Sequence, residues 1–185
     1  MITVTEQLLF PTTLAEFIDW EAPVDGYKYE WNDGDIIKSE KMKKKHLKLI
    51  YGLSKLFDGT SAKKQQGLLI PEQDVKLTGI QLRRPDLAYF SGEQIANSDE
   101  NEEPIPSFVI EVISPTDDAI KIETKVIEYF KAGVQVLWHI FPENQTIYVY
   151  TSRKTVTICT DDDICSASPA ITDFQISVND LLGGL

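Results

Sequence analysis

Residues 107–113, Ser-Phe-Val-Ile-Glu-Val-Ile, narrow the possible folds of this chain more than any other stretch. Five of the seven are apolar and the run is short, so it reads as a strand covered on both faces. Ser114-Pro115-Thr116-Asp117-Asp118 follows at once and supplies a cap, a first-turn proline and first-turn acids. The spacing predicts a helix over 116–132, stopped by Gly133, and a further strand over 134–140. A strand–helix–strand unit of this kind makes a parallel crossover, usually right-handed.

The remaining elements are shorter. Phe10-Pro11-Thr12-Thr13 opens a helix capped by Thr12 or Thr13, with Leu14, Phe17 and Ile18 as its inward face. Tyr27 to Trp31 and Asp35-Ile36-Ile37 form a hairpin about the Asn32-Asp33-Gly34 turn. Met42, His46, Leu49 or Ile50, Leu53 and Phe57 recur at helical spacing over 43–57, and Asp58-Gly59 ends that helix. Short strands are expected at 68–70, 73–77 and 87–90, then a polar, acidic loop or weak helix over 91–106. After the crossover, Pro142-Glu143-Asn144 turns into a strand at 147–150. A last strand at 155–159 precedes an acidic loop and a plain tail. No repeat or low-complexity linker interrupts the chain, so a single domain over 1–185 is expected. Its parts are an N-terminal helix and hairpin (10–40), a core (41–141), and C-terminal strands and tail (142–185). The fold class is α/β (α+β): a mixed β-sheet flanked by helices, with core order helix-strand-strand-strand-helix-strand.

The chain has 185 residues, 42% hydrophobic and 25% charged, a balance that excludes wholesale disorder. No apolar run approaches the roughly 18 residues of a membrane span. Met1-Ile2-Thr3-Val4 lacks the basic start and apolar stretch of a signal peptide, so the cytoplasm is expected. Cys159 and Cys165 are too few for a disulfide framework and are expected as free thiols. With His46 and His139 far off in sequence, they form no four-ligand zinc site. The net charge of −11 argues against nucleic acid, but its distribution matters more. From Lys28 to Lys64 there are ten lysines and five acids, a local +5, which leaves −16 on the rest.

Two acids stand where acids are costly. Glu111 lies inside the covered strand, where a carboxylate must be protonated, paired or bound to a cation. Alone it reads as an edge charge or a salt bridge. Asp86, in Arg83-Arg84-Pro85-Asp86, begins the preceding strand. Pro-Asp alone is a turn signal, yet acids on successive paired strands can share one hard cation such as Mg²⁺. Asp118, Lys125 and Tyr129 fall within a band of roughly 40° on the crossover helix, beside its apolar face. From there Lys125 can lean toward Glu111; taken singly it is a solvated lysine whose stem covers the core edge. Lys41, Lys44, Lys45 and Lys48 share a helix face at i, i+3, i+4, i+7. On charge alone that face is simply solvated.

Together these residues resemble the PD-(D/E)XK nuclease superfamily and, more narrowly, the Uma family of restriction endonucleases. The resemblance rests on Tyr29-Glu30 with Asp33-Gly34, His46, Arg84-Pro85-Asp86, and Glu111-Val112-Ile113-Ser114-Pro115. It continues through Lys125 to Tyr129, then Ala132-Gly133-Val134 and Trp138, and so spans residues 10–150. It implies a restriction-endonuclease-like fold and a metal-dependent DNA endonuclease. Carried over, Asp86, Glu111 and the backbone carbonyl of Val112 would hold Mg²⁺ (or Mn²⁺). Catalytic roles would fall to Asp86, Glu111, Lys125, Tyr129 and the hairpin's Glu30. The superfamily lysine two residues after the glutamate is replaced by Ile113, and Lys125 looks like its substitute. Lys41, Lys44, Lys45, Lys48, Arg83 and Arg84 are the expected nucleic-acid contacts. DNA is the implied partner, a homodimer is left open, and no membrane and no small-molecule cofactor are expected.

The chain departs from the family pattern at Phe141, where relatives often carry Asp, and at Val136-Leu137-Trp138, where they often show Glu-Tyr-Trp. The alternative reading is a catalytically silent nuclease fold that acts as a DNA-binding or protein-interaction module. His46 reads as a core or supporting histidine and His139 as a strand residue without a partner motif. Asp161-Asp162-Asp163 lacks the spacing of a calcium loop.

Overall fold

The computed structural model describes residues 10–40, 46–98 and 104–183. In chain order the elements are α1 (Leu14–Ile18), β1 (Tyr27–Asn32), β2 (Asp35–Glu40), α2 (Leu47–Asp58), α3 (Ser61–Lys64), β3 (Leu68–Pro71), β4 (Val75–Thr78), β5 (Gln81–Arg83), β6 (Leu87–Phe90), α4 (Gly92–Asn97), β7 (Phe108–Val112), α5 (Ala119–Ala132), β8 (Val136–Phe141), β9 (Thr146–Ser152), β10 (Thr155–Thr160), β11 (Ile164–Ser166), β12 (Gln175–Ser177) and α6 (Val178–Leu182). The main sheet has six strands in the order β10-β9-β8-β7-β6-β3, and a second sheet of four runs β2-β1-β5-β4.

The expected crossover is present. β7 and β8 pair in parallel, and the other neighbours in the main sheet pair antiparallel. All five residues of β7 are buried because helices cover both faces. Phe108 and Ile110 share a core with Leu49, Leu53 and Phe57 of α2. Val109 packs with Val126 and Tyr129 of α5. Alternation along the strand therefore turns Glu111 to the α5 side. The hairpin closes as expected, since Asp33 (φ +48°) and Gly34 (φ +96°) take the left-handed pair that a two-residue turn needs.

The structure moves several boundaries. The crossover helix begins at Ala119, three residues late, because Asp118 is its cap. Asp118 Oδ1 accepts from the N–H groups of Ile120 and Lys121 at 2.8 and 3.1 Å. The helix still ends at Gly133, whose φ of +113° is costly for residues with a Cβ. β5 was not foreseen; three residues are too few for a visible alternation. α4, read as loop or weak helix, is fixed by a reciprocal cap between Ser91 and Gln94. Ile18 is not on the inward face of α1: it is 52% exposed, and Phe17 alone is buried there. The tail is not plain, since Phe174, Val178 and Leu182 enter the main core. Lys41, Lys44 and Lys45 lie outside the described residues, as does the expected first turn of α2. Among the described residues no helix is long and apolar enough to cross a membrane.

The packing of Phe174 gives a direct test. Its ring is fully buried and lies 5.5 Å from the rings of both Phe108 and Trp138. Phe174→Ala is expected to cost about 3–5 kcal/mol in urea unfolding. Val24→Ser, at a fully exposed position, should change stability by less than about 0.5 kcal/mol. A cost below about 1 kcal/mol for Phe174→Ala would mean the tail is not part of the core.

Candidate active site

Five elements converge on one pocket of about 320 Å³ beside the C-terminal end of β7. Asp86 stands just before β6. Leu87 pairs with Ile110, so the next position in this antiparallel register sets Asp86 opposite Glu111. Asp86 Oδ2 accepts from the Val112 N–H at 2.7 Å, which fixes the carboxylate against the strand. Lys125 Nζ lies 3.0 Å from Glu111 Oε1 and 3.0 Å from Glu30 Oε1. Tyr129 donates its hydroxyl to Glu111 Oε1 at 2.7 Å. The structure therefore brings Glu30, Asp86, Glu111, Lys125 and Tyr129 together. Ile113 lines the same pocket.

Both acids are buried, Asp86 at 5% and Glu111 at 4% exposure, and Glu30 is buried at 1%. Such acids need cations close by. Burial works against the charge on Lys125, but Glu111 and Glu30 outweigh it, and its pKa is raised. Burial, then the carboxylates of Glu111 and Glu30, push the Tyr129 hydroxyl well above its ordinary value, so it stays a donor. Glu30 also accepts from the Arg84 N–H at 2.9 Å. With Lys125 on the same oxygen, Glu30 serves to hold the lysine.

Two cations expected to face nucleic acid are otherwise engaged. Arg83 is 1% exposed, and its guanidinium bonds Glu128 at 2.8 and 2.6 Å and faces Glu30 at 3.6 Å. No phosphate reaches it there. Arg84 makes a two-pronged contact with Asp74 at 2.6 and 2.7 Å. Lys48 is exposed.

Two pocket residues were not assigned to the site from the sequence: Lys28, and His139, read as a strand residue without a partner motif. Lys28 is buried, with Nζ 3.0 Å from Asp86 Oδ1 and 3.2 Å from the Arg84 carbonyl. Burial opposes its charge, yet Glu111 and Asp86 prevail and its pKa is raised. Its signal was its place two residues before Glu30, on the same side of a strand. His139 pairs in register with Glu111 and lines the pocket. Burial lowers its pKa to about 4, which keeps the ring neutral. Among the described residues neither of its ring nitrogens has a hydrogen-bond partner. His46 stands at the residue just before α2 and also lines the pocket.

Counted formally, Glu30, Asp86, Glu111 and Glu128 face Lys28, Arg83 and Lys125, which leaves one negative charge over. Among the described residues no three His, Cys, Asp or Glu side chains already stand grouped as metal ligands. The carboxylates of Asp86 and Glu111 nonetheless keep lone pairs beyond the bonds described, and hard oxygen donors of this kind suit Mg²⁺ or Mn²⁺.

Arg83 and Glu128 supply the test of this network. Arg83→Met leaves two buried carboxylates short of a partner and should cost about 3–5 kcal/mol in chemical denaturation. Adding Glu128→Leu should recover part of that loss. A single-variant cost near zero would show that water enters the cluster.

Comparisons with known proteins agree with this architecture. Residues 14–179 match the model of the Uma2 family, described as "Putative restriction endonuclease". Among solved structures, a "putative nuclease belonging to DUF820" from Anabaena variabilis superposes with a TM-score of 0.80 at 22% identity. The match covers 94% of this chain and 98% of that one, and it shows a shared fold. No curated protein matches. The chain belongs to the Uma2 family.

Proposed function

We propose that this member of the Uma2 family is a nuclease of the PD-(D/E)XK type that hydrolyses DNA phosphodiester bonds with the help of Mg²⁺ or Mn²⁺. The observation that carries the reading is the facing of two buried acids across adjacent strands, with a half-buried lysine leaning on one of them. A structural salt bridge needs one acid and one base. This pocket gathers more carboxylate than its cations neutralise.

Asp86, Glu111 and the carbonyl of Val112 are the groups that would hold the ion. When bound, it polarises the phosphate and lowers the pKa of a water molecule. The chain's own residues supply the rest. Lys125 keeps its positive charge in a place shielded from solvent, where it stabilises charge that grows on the phosphate oxygens. Glu30 prevents that lysine from swinging into solvent. Tyr129 fixes Glu111 by donating its hydroxyl to one oxygen. Ile113 forms an apolar wall where the superfamily lysine would stand. Lys121, exposed on the pocket rim one turn before Lys125, and Lys48 on α2 are the proposed phosphate contacts.

Wild-type protein is expected to nick supercoiled plasmid with Mg²⁺ or Mn²⁺ and to stop on chelation. Asp86→Asn and Glu111→Gln should lose both Mn²⁺ binding in calorimetry and nicking. Lys125→Met should keep Mn²⁺ binding while the rate falls about 10²–10³-fold. Wild type that binds no Mn²⁺, even with uncleavable DNA present, would count decisively against the reading.

A further inference from the structure

We infer that Lys28 is a tethered counter-ion of Asp86 that a divalent metal must displace, and that this residue thereby sets the metal affinity of the site. The inference rests on the metal-dependent reading above. Asp86 Oδ2 is committed to the Val112 N–H, while Oδ1 carries the Lys28 ammonium at 3.0 Å. Side-chain exposures of 8% and 7% leave little water to screen the pair. An ammonium and a divalent ion that meet on one buried carboxylate repel each other strongly.

The two pocket lysines differ in what they fall back on. Lys125 is shared between Glu111 and Glu30, so a cation on Glu111 leaves it with a full carboxylate at 3.0 Å. Among the described residues, once Asp86 is taken Lys28 keeps one hydrogen-bond acceptor, the neutral carbonyl of Arg84 at 3.2 Å, while Glu111, whose charge also attracts it, would hold the same ion. Displacing Lys28 therefore costs more than shifting Lys125. Lys28 also enters on β1 of the second sheet, so its reach is fixed by the hairpin and not by a mobile arm. A phosphate in the pocket would give the freed ammonium a new acceptor. Metal and nucleic acid should then strengthen each other's binding, and by linkage the effect is mutual.

The experiment is calorimetric titration of Mn²⁺ into the full chain, as wild type, Lys28→Met, Lys28→Arg and Asp86→Asn. Lys28→Met should bind Mn²⁺ at least about tenfold tighter than wild type, because the competing charge is gone. Lys28→Arg keeps the charge and should stay weak. Adding a phosphorothioate oligonucleotide should tighten Mn²⁺ binding by wild type more than by Lys28→Met. If Lys28→Met is unfolded by circular dichroism, Lys28→Gln carries the same expectation. Equal Mn²⁺ affinity in wild type and Lys28→Met, lost in Asp86→Asn, overturns the inference and leaves the metal site standing. No Mn²⁺ binding to wild type or Lys28→Met, with or without oligonucleotide, overturns both.

Discussion

The joint between the two sheets is built around charge, beside an apolar patch where Val75 and Leu77 of β4 pack with β6, β7 and α5. β1 contributes Lys28 and Glu30, the end of β5 Arg83, the main sheet Asp86 and Glu111, and α5 Lys125, Glu128 and Tyr129. Each of these groups would be costly to bury alone. Together they are nearly neutral, so the hairpin sheet, the main sheet and the crossover helix cannot slide past one another without breaking ion pairs in a place with little water. Close-packed apolar contacts hold the main sheet to α2 and α5, but they are non-directional. A network of hydrogen-bonded charges specifies position more sharply.

Within that joint the pairs differ in kind. Arg83 and Glu128 are buried, with two guanidinium nitrogens on one carboxylate oxygen, and Arg83 backs the pocket through Glu30 at 3.6 Å, as befits a structural strut. Lys125 is shared between two acids, and its side chain keeps 19% exposure on the pocket side. Sharing lowers the cost of leaving either partner, so the group is held in place yet free to respond to a new charge. The same element thus carries a fixed contact at Glu128 and a responsive one at Lys125, three residues and roughly one turn apart.

Much of this was legible in the chain, for local reasons. The apolar run 107–113, the glycine at 133 and the Asn-Asp-Gly turn are short-range signals, and each produced the element expected. Asp86 and Glu111 stood out because acids are unusual at those positions. What escaped was tertiary. Lys28 looks like any lysine until the hairpin sheet is placed beside the start of β6 and the end of β7. Arg83 and Arg84 look interchangeable, yet successive residues of an extended chain point to opposite sides, so one meets Glu128 and the other Asp74. Phe174 and α6 carry too few residues for a periodicity and reveal themselves only by the core they fill.

The charge sum of −11 then takes on a different meaning. An acidic protein can approach a polyanion only where its own field is reversed or cancelled. The basic groups closest to the two acids are already matched by Asp74, Asp86, Glu111, Glu128 and Glu30, so they add little long-range attraction. Their value lies at contact distance. A phosphate that reaches the pocket meets ammonium groups held in place, whose carboxylate partners are the groups a metal would claim. Under the proposed function, attraction would come from an exchange of partners inside the pocket as well as from the exposed Lys48 and Lys121. On that reading, paired cations beside the acids are compatible with a polyanionic substrate.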